Sequence, residues 1–214
     1  MLHMSSTLDK PLHKYLAKLS WESYYQSEDF GTFSCKWALR NDAVICAFRG
    51  SDDKVDWLYN ARIPLSRSEI PNFDGYIHCG YMDLSIDVAK CIRMVMEGRY
   101  KSKKLILTGH SLGGALSIVS SLRLREYNPE VVTFGSPKVF NKEGVRNYKI
   151  PSTHYIYGSD LVPHIPHIGY SYYKNTVWLK KPSKILRLIR SVPSVTSLAT
   201  GISHHSIENY YNEL

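Results

Sequence analysis

The run "KLILTGHSLGGALS" at residues 104–117 constrains this chain more than any other feature. It opens as a short apolar strand and closes as a helix of small and apolar residues. Between the two stands Ser111, with glycine two places away on either side, at 109 and 113. A strand that becomes a helix within so few residues must turn sharply, and a side chain at either glycine position would strike the turn. The serine at the apex is forced into a strained conformation that lifts its hydroxyl clear of the backbone. The helix behind it points unpaired N–H groups and its positive end at the same spot, which favours an oxyanion there. The run has neither the G-K-[ST] ending of a phosphate-binding loop nor the G-x-G-x-x-G of a dinucleotide site.

The flanking pattern sets the fold class. Residues 8–27 read as a helix, with Leu12, Leu16, Leu19 and Tyr24 near helical spacing. "TFSCKWAL" (32–39) and "AVICAFR" (43–49) read as two strands joined by the turn-like "RND". Residues 81–98 read as an amphipathic helix with Leu84, Val88, Ile92 and Val95 on one stripe and Gly98 at its end. After the 104–117 run come two further strands, "EVVTFGSP" and "THYIYGSD". This rhythm predicts an α/β protein with a central, mostly parallel sheet flanked by helices, as a single domain over residues 1–214. Such sheets bind ligands at the carboxyl ends of their strands, where Ser111, Asp160 and the "GSP" of 135–137 all fall.

Bulk properties narrow the setting. No run of eighteen apolar residues is present, so no spanning helix is expected. The first residues lack a signal-peptide pattern, and the four cysteines form no C-x-x-C pair. They read as reduced core thiols, and the expected location is the cytoplasm or the surface of a membrane. The net charge of +8 is concentrated late, in "KKPSKILRLIR" at 180–190. It suits a solvated basic face or contact with an anionic membrane. A nucleic-acid partner is not expected, because no binding module accompanies the charge.

A serine hydroxyl attacks only when a base takes its proton and an acid orients that base. The chain order for such a fold is serine, acid, base. After Ser111 the acid candidates are Glu126, Glu130, Glu143, Asp160, Glu208 and Glu213, and Asp160 alone closes an apolar strand. The base candidates beyond it are His164, His167, His204 and His205. His164 and His167 follow Asp160 too closely to serve well, while the other two open a C-terminal helix. The His164–His167 pair lacks a neighbouring carboxylate or cysteine, so no metal site is expected. Two backbone donors complete the set: the N–H of Leu112, and that of Ser51 in the loop after the strand 43–49.

These segments together resemble the class 3, fungal-type lipases of the α/β-hydrolase superfamily. "FRGSDDKVDWLYN" resembles the family's oxyanion loop, "IHCGYMD" the stretch before its next helix, and "LILTGHSLGGALS" its nucleophile elbow. "GSDLVPHIP" and "HHSIENY" resemble its acid and base segments. The resemblance selects His205, the histidine directly before Ser-x-x-x-Tyr, as base. It implies Ser111 as nucleophile, Asp160 as acid, Ser51 and Leu112 as the oxyanion hole, and no metal or cofactor. It also implies a short lid near 52–60, with Val55, Trp57, Leu58 and Tyr59 apolar toward substrate. The activity implied is hydrolysis of acylglycerol or phospholipid esters. The alternatives are a soluble carboxylesterase on short or aryl esters, or a non-catalytic lipid-binding protein.

Overall fold

A computed structural model describes residues 9–51, 64–98, 100–180 and 203–214. The first helix, α1 (Lys10–Glu22), starts on Asp9, whose carboxylate accepts the N–H of Leu12 at 3.0 Å. It stops short of the expected 8–27. The N–H of Ser23 bonds back to Leu19, and that of Tyr24 turns to Trp21. Tyr24 is thereby released from the helix face that spacing assigned to it.

Strands β1 (Glu28–Asp29), β2 (Ser34–Arg40) and β3 (Ala43–Phe48) form an antiparallel edge. β6 (Lys104–His110), β7 (Glu130–Phe134), β8 (Ser152–Tyr157) and β9 (Thr176–Lys180) then add in parallel, giving the order β1-β2-β3-β6-β7-β8-β9. Parallel strands are covered on both faces, and alternation along each strand feeds two cores. Val44, Cys46, Phe48, Leu105 and Leu107 face α2 (Cys79–Met96) and α3 (Leu112–Arg123). Ile45, Ala47, Ile106, Val132 and Phe134 face α1 and the C-terminal helix α5 (Ile207–Glu213). All four cysteines are free thiols, three of them buried.

Three features depart from the expected plan. A short helix, α4 (Lys142–Asn147), links β7 and β8, and Asn141 caps it by accepting the N–H of Gly144. Two neighbouring parallel strands need such a crossover. The strand β9 and the small hairpin β4 (Leu65–Arg67) and β5 (Tyr76–His78) were likewise not expected. The buried face of α2 runs through Tyr81, Ser85, Val88, Ala89, Ile92 and Met96, leaving Leu84 and Val95 half-buried. Ser85 belongs to it because its hydroxyl accepts Arg123 Nε at 2.8 Å, a polar contact that hydrophobic spacing does not register.

His154 on β8 is buried between the strands and stacked on Tyr173. Its Nδ1 pairs with Thr133 Oγ1 at 2.9 Å, and burial pushes its pKa down to about 3. The fold therefore keeps the ring neutral, whereas the unfolded chain protonates it near pH 6.5. Between those values the unfolded state holds the extra proton. The stability from this group is present above about pH 6.5 and is lost as pH falls below it, by roughly 1 kcal/mol per pH unit. We expect His154→Gln to flatten the pH dependence of stability between about pH 6 and pH 4, measured by urea unfolding at stepped pH.

Candidate active site

Ser111 occupies the step from β6 into α3 with φ 57° and ψ −126°, a conformation that L-residues rarely adopt. Such strain costs about 1–3 kcal/mol and persists only where the surroundings enforce it. Here its N–H donates to the carbonyl of Phe134 at 3.0 Å, and its own carbonyl accepts the N–H of Gly114 at 3.0 Å. A Cβ on Gly109 would lie 2.4 Å from the carbonyl carbon of Gly113, and one on Gly113 would lie 2.2 Å from the carbonyl oxygen of Phe48. The first turn of α3 thus presses directly on the end of β3. That contact sets Leu112 against the chain leaving β3, where Arg49, Gly50 and Ser51 follow. A Cβ on Gly50 would lie 2.9 Å from the carbonyl oxygen of His110 and 2.1 Å from the Tyr24 hydroxyl. The two segments expected to supply oxyanion donors are brought together, with Ser51 half-buried.

Asp160 lies beyond the end of β8 rather than on it. Its N–H returns to the carbonyl of Tyr157 at 3.0 Å. The carboxylate is fully buried. Its Oδ1 accepts the N–H of Val162 at 2.9 Å, and its Oδ2 accepts His205 Nδ1 at 2.8 Å. The hydroxyl of Tyr210, on α5, donates to the same Oδ2. Burial, then the adjacent carboxylate, holds the Tyr210 phenol well above its usual range, so it remains a donor. Gly135, with φ 59°, closes β7 beneath this cluster. A Cβ there would meet Asp160 Oδ2 at 2.8 Å, Tyr210 Oη at 3.0 Å and His205 Cε1 at 3.1 Å. Since Ser111 is bonded to Phe134, the nucleophile candidate and the Asp160–His205 pair stand at the same strand end.

The adjacent histidines divide their work. His205 engages the carboxylate. His204 instead accepts the N–H of Ser159 on its Nδ1 at 2.9 Å, with its ring against Gly158 and Tyr157. Both rings therefore clamp the short loop that carries Asp160. His110 completes the packing: its ring centroid lies 4.4 Å from that of His205, and its Nδ1 is 2.8 Å from the Tyr24 hydroxyl. Sequence reasoning weighed His204 as an alternative base and gave no site role to Tyr24, His110 or Tyr210. Only Tyr210 left a signal, as the tyrosine of the Ser-x-x-x-Tyr run. The His164 ring meets the Tyr172 hydroxyl through Nδ1 and packs near Tyr172 and Trp178, and its carbonyl accepts Lys138 Nζ at 2.8 Å. Among the described residues no cluster of three or more metal-ligating side chains occurs. The apolar lid candidates Val55, Trp57, Leu58 and Tyr59, and residues 181–190 of the basic run, lie outside the described residues.

A strained serine between strand and helix, an ordered histidine–aspartate pair from later in the chain, and a mostly parallel sheet define an α/β hydrolase fold. The structure superposes on that of the Rhizomucor miehei triacylglyceride lipase with a TM-score of 0.71 at 20% identity, covering 82% of each chain. It superposes on Lip2 lipase from Yarrowia lipolytica with a TM-score of 0.67 at 18% identity, covering 79% of this chain and 80% of that one. In sequence it is 29% identical over 147 residues to a secreted mono- and diacylglycerol lipase of Fusarium solani, covering 64% of this chain and 44% of that protein. The family model for "Lipase (class 3)" matches residues 45–170. The chain belongs to the class 3 lipase family. It spans less than half the length of the first curated relatives it matches.

The Tyr210 bond has a measurable worth. A hydrogen bond to a buried charge contributes about 1.5–3 kcal/mol. We expect Tyr210→Phe to destabilise the fold by that amount in urea, and the loss to shrink in an Asp160→Asn background, where the charge is gone.

Proposed function

We propose that this protein hydrolyses carboxylic esters of lipids, acylglycerols or phospholipids, through an acyl-enzyme on Ser111. The reading is carried by the buried Asp160–His205 pair, converging with strained Ser111 over Gly135. His205 bonds Asp160 through Nδ1, which leaves Nε2 as the atom to work as base. In this scheme Nε2 takes the Ser111 proton as the hydroxyl oxygen attacks the ester carbonyl. The tetrahedral oxyanion rests on the backbone N–H groups of Ser51 and Leu112. The imidazolium, steadied by Asp160, returns the proton to the leaving alcohol as the C–O bond breaks. Water then repeats the sequence on the acyl-serine, releasing the acid. The scheme uses no metal or cofactor.

The lipid substrate class follows the relatives, whose names include mono- and diacylglycerol and triacylglyceride lipases. On the same reading Val55, Trp57, Leu58 and Tyr59 belong to a lid over the site, and the basic run 180–190 contacts an anionic membrane surface.

A fluorophosphonate ester tests the mechanism directly, because it captures only an activated serine. We expect one adduct per chain, mapped by mass spectrometry to Ser111. It should be absent in His205→Ala and retained in His204→Ala. Full labelling of His205→Ala would assign the base elsewhere. No labelling of the unaltered chain, with and without detergent micelles, would overturn the hydrolase reading.

A further inference from the structure

We propose that the loop 165–173, with Trp178 beside it, seats this protein on an anionic lipid–water interface. Ile168 would enter the acyl boundary, with Tyr172 and Trp178 at the headgroup level. The proposal rests on the lipid reading above and gives that site its docking surface.

Four observations carry it. First, the loop and the strand β9 that follows it present apolar side chains to water: Ile168 is 92% exposed, Tyr172 45% and Trp178 36%. A single exposed apolar residue is ordinary, but three within so short a stretch of chain mark a candidate contact surface. Tyr172 and Trp178 both lie against the ring of His164, at 5.6 and 5.8 Å between centroids. Tyrosine and tryptophan suit a boundary that is apolar on one side and wet on the other.

Second, the loop is braced in this shape. The N–H of Lys138 donates to Ile165 O at 2.9 Å, and Lys138 Nζ donates to His164 O at 2.8 Å. The N–H of Ser171 donates to Phe140 O at 2.9 Å, and the Tyr173 hydroxyl donates to Pro137 O. These bonds sit on both sides of residues 167–169 and hold the tip outward.

Third, the tip lies on the catalytic rim. Val162–His164 begins two residues after Asp160, and a Cβ on Gly169 would lie 3.1 Å from Leu65 Cδ1. Leu65 pairs with His78, from which α2 starts. Both α2 and α3 lead from or into strands of the parallel sheet, so both begin at the end of the sheet that carries Ser111.

Fourth, the charge fits. Between Asp160 and Glu208 the sequence holds no aspartate or glutamate and six lysines or arginines. Of these, Lys174 and Lys180 are exposed; Lys174 directly follows the loop, and Lys180 ends β9 opposite Tyr157, on the Asp160 side. Basic groups beside an apolar tip favour an anionic leaflet, which a carboxylate there would repel.

The test uses the full chain carrying Ser111→Ala, so that vesicles stay intact, with binding read by sedimentation. Vesicles are phosphatidylcholine alone or with about one third phosphatidylserine. We expect binding to the mixed vesicles that weakens with added salt. We expect Ile168→Asp to weaken it about tenfold at an unchanged thermal midpoint, and Ile168→Trp to bind at least as tightly as the parent. Equal binding by Ile168→Asp would overturn the proposal, as would a parent that ignores both vesicle types. Self-association of the parent that Ile168→Asp abolishes, without vesicle binding, would assign the face to a second copy and overturn it too. Serine labelling of the unaltered chain reads the hydrolase proposal separately, so either can fail without the other.

Discussion

The contact on which the site depends is that between the first turn of α3 and the last carbonyls of β3. Gly113 lies where any Cβ would meet the Phe48 carbonyl oxygen. Remove that closeness and the turn at Ser111 has room to relax out of its strained φ. The chain after β3 would then no longer lie beside the start of α3. One backbone contact thus holds both the attitude of the serine and the neighbourhood of its two expected donors. The strain is local, and the surrounding sheet bears it, because Phe134 fixes the Ser111 N–H from the other side.

Asp160 shows a second economy. A buried carboxylate is costly unless its lone pairs are occupied. Here a backbone N–H, an imidazole N–H and a phenol all reach it. Two of the three come from the C-terminal segment. The docking of α5 on α1 and the sheet is therefore coupled to the electrostatics of this carboxylate, and packing and site order are one interaction seen twice.

Much of this was legible in the sequence where local chemistry was strong. The glycines around Ser111 announced the turn, continuous apolar runs announced β3, β6 and β7, and Asp160 stood alone as an aspartate after a strand. What escaped notice had weak local signals. α4 is a six-residue helix with a glycine inside, held by its cap and its neighbours. The hairpin β4–β5 has three residues a side and too little pattern to see. Ser85 and Tyr24 broke hydrophobic spacing because polar contacts from distant segments place them. The choice between His204 and His205 was invisible to periodicity. It depends on which ring meets a carboxylate and which meets a backbone N–H, a difference that only the fold creates.

The proposed base, His205, reaches Asp160 from 45 residues further along the chain. During synthesis, Ser111 and Asp160 leave the ribosome well before His205 and Tyr210 do. A nascent chain halted just short of His205 holds β1 to β9 and Ser111 but lacks the base proposed for it. On the proposed mechanism, order of emergence therefore works as a safety catch: Ser111 lacks its base until His205 has been made.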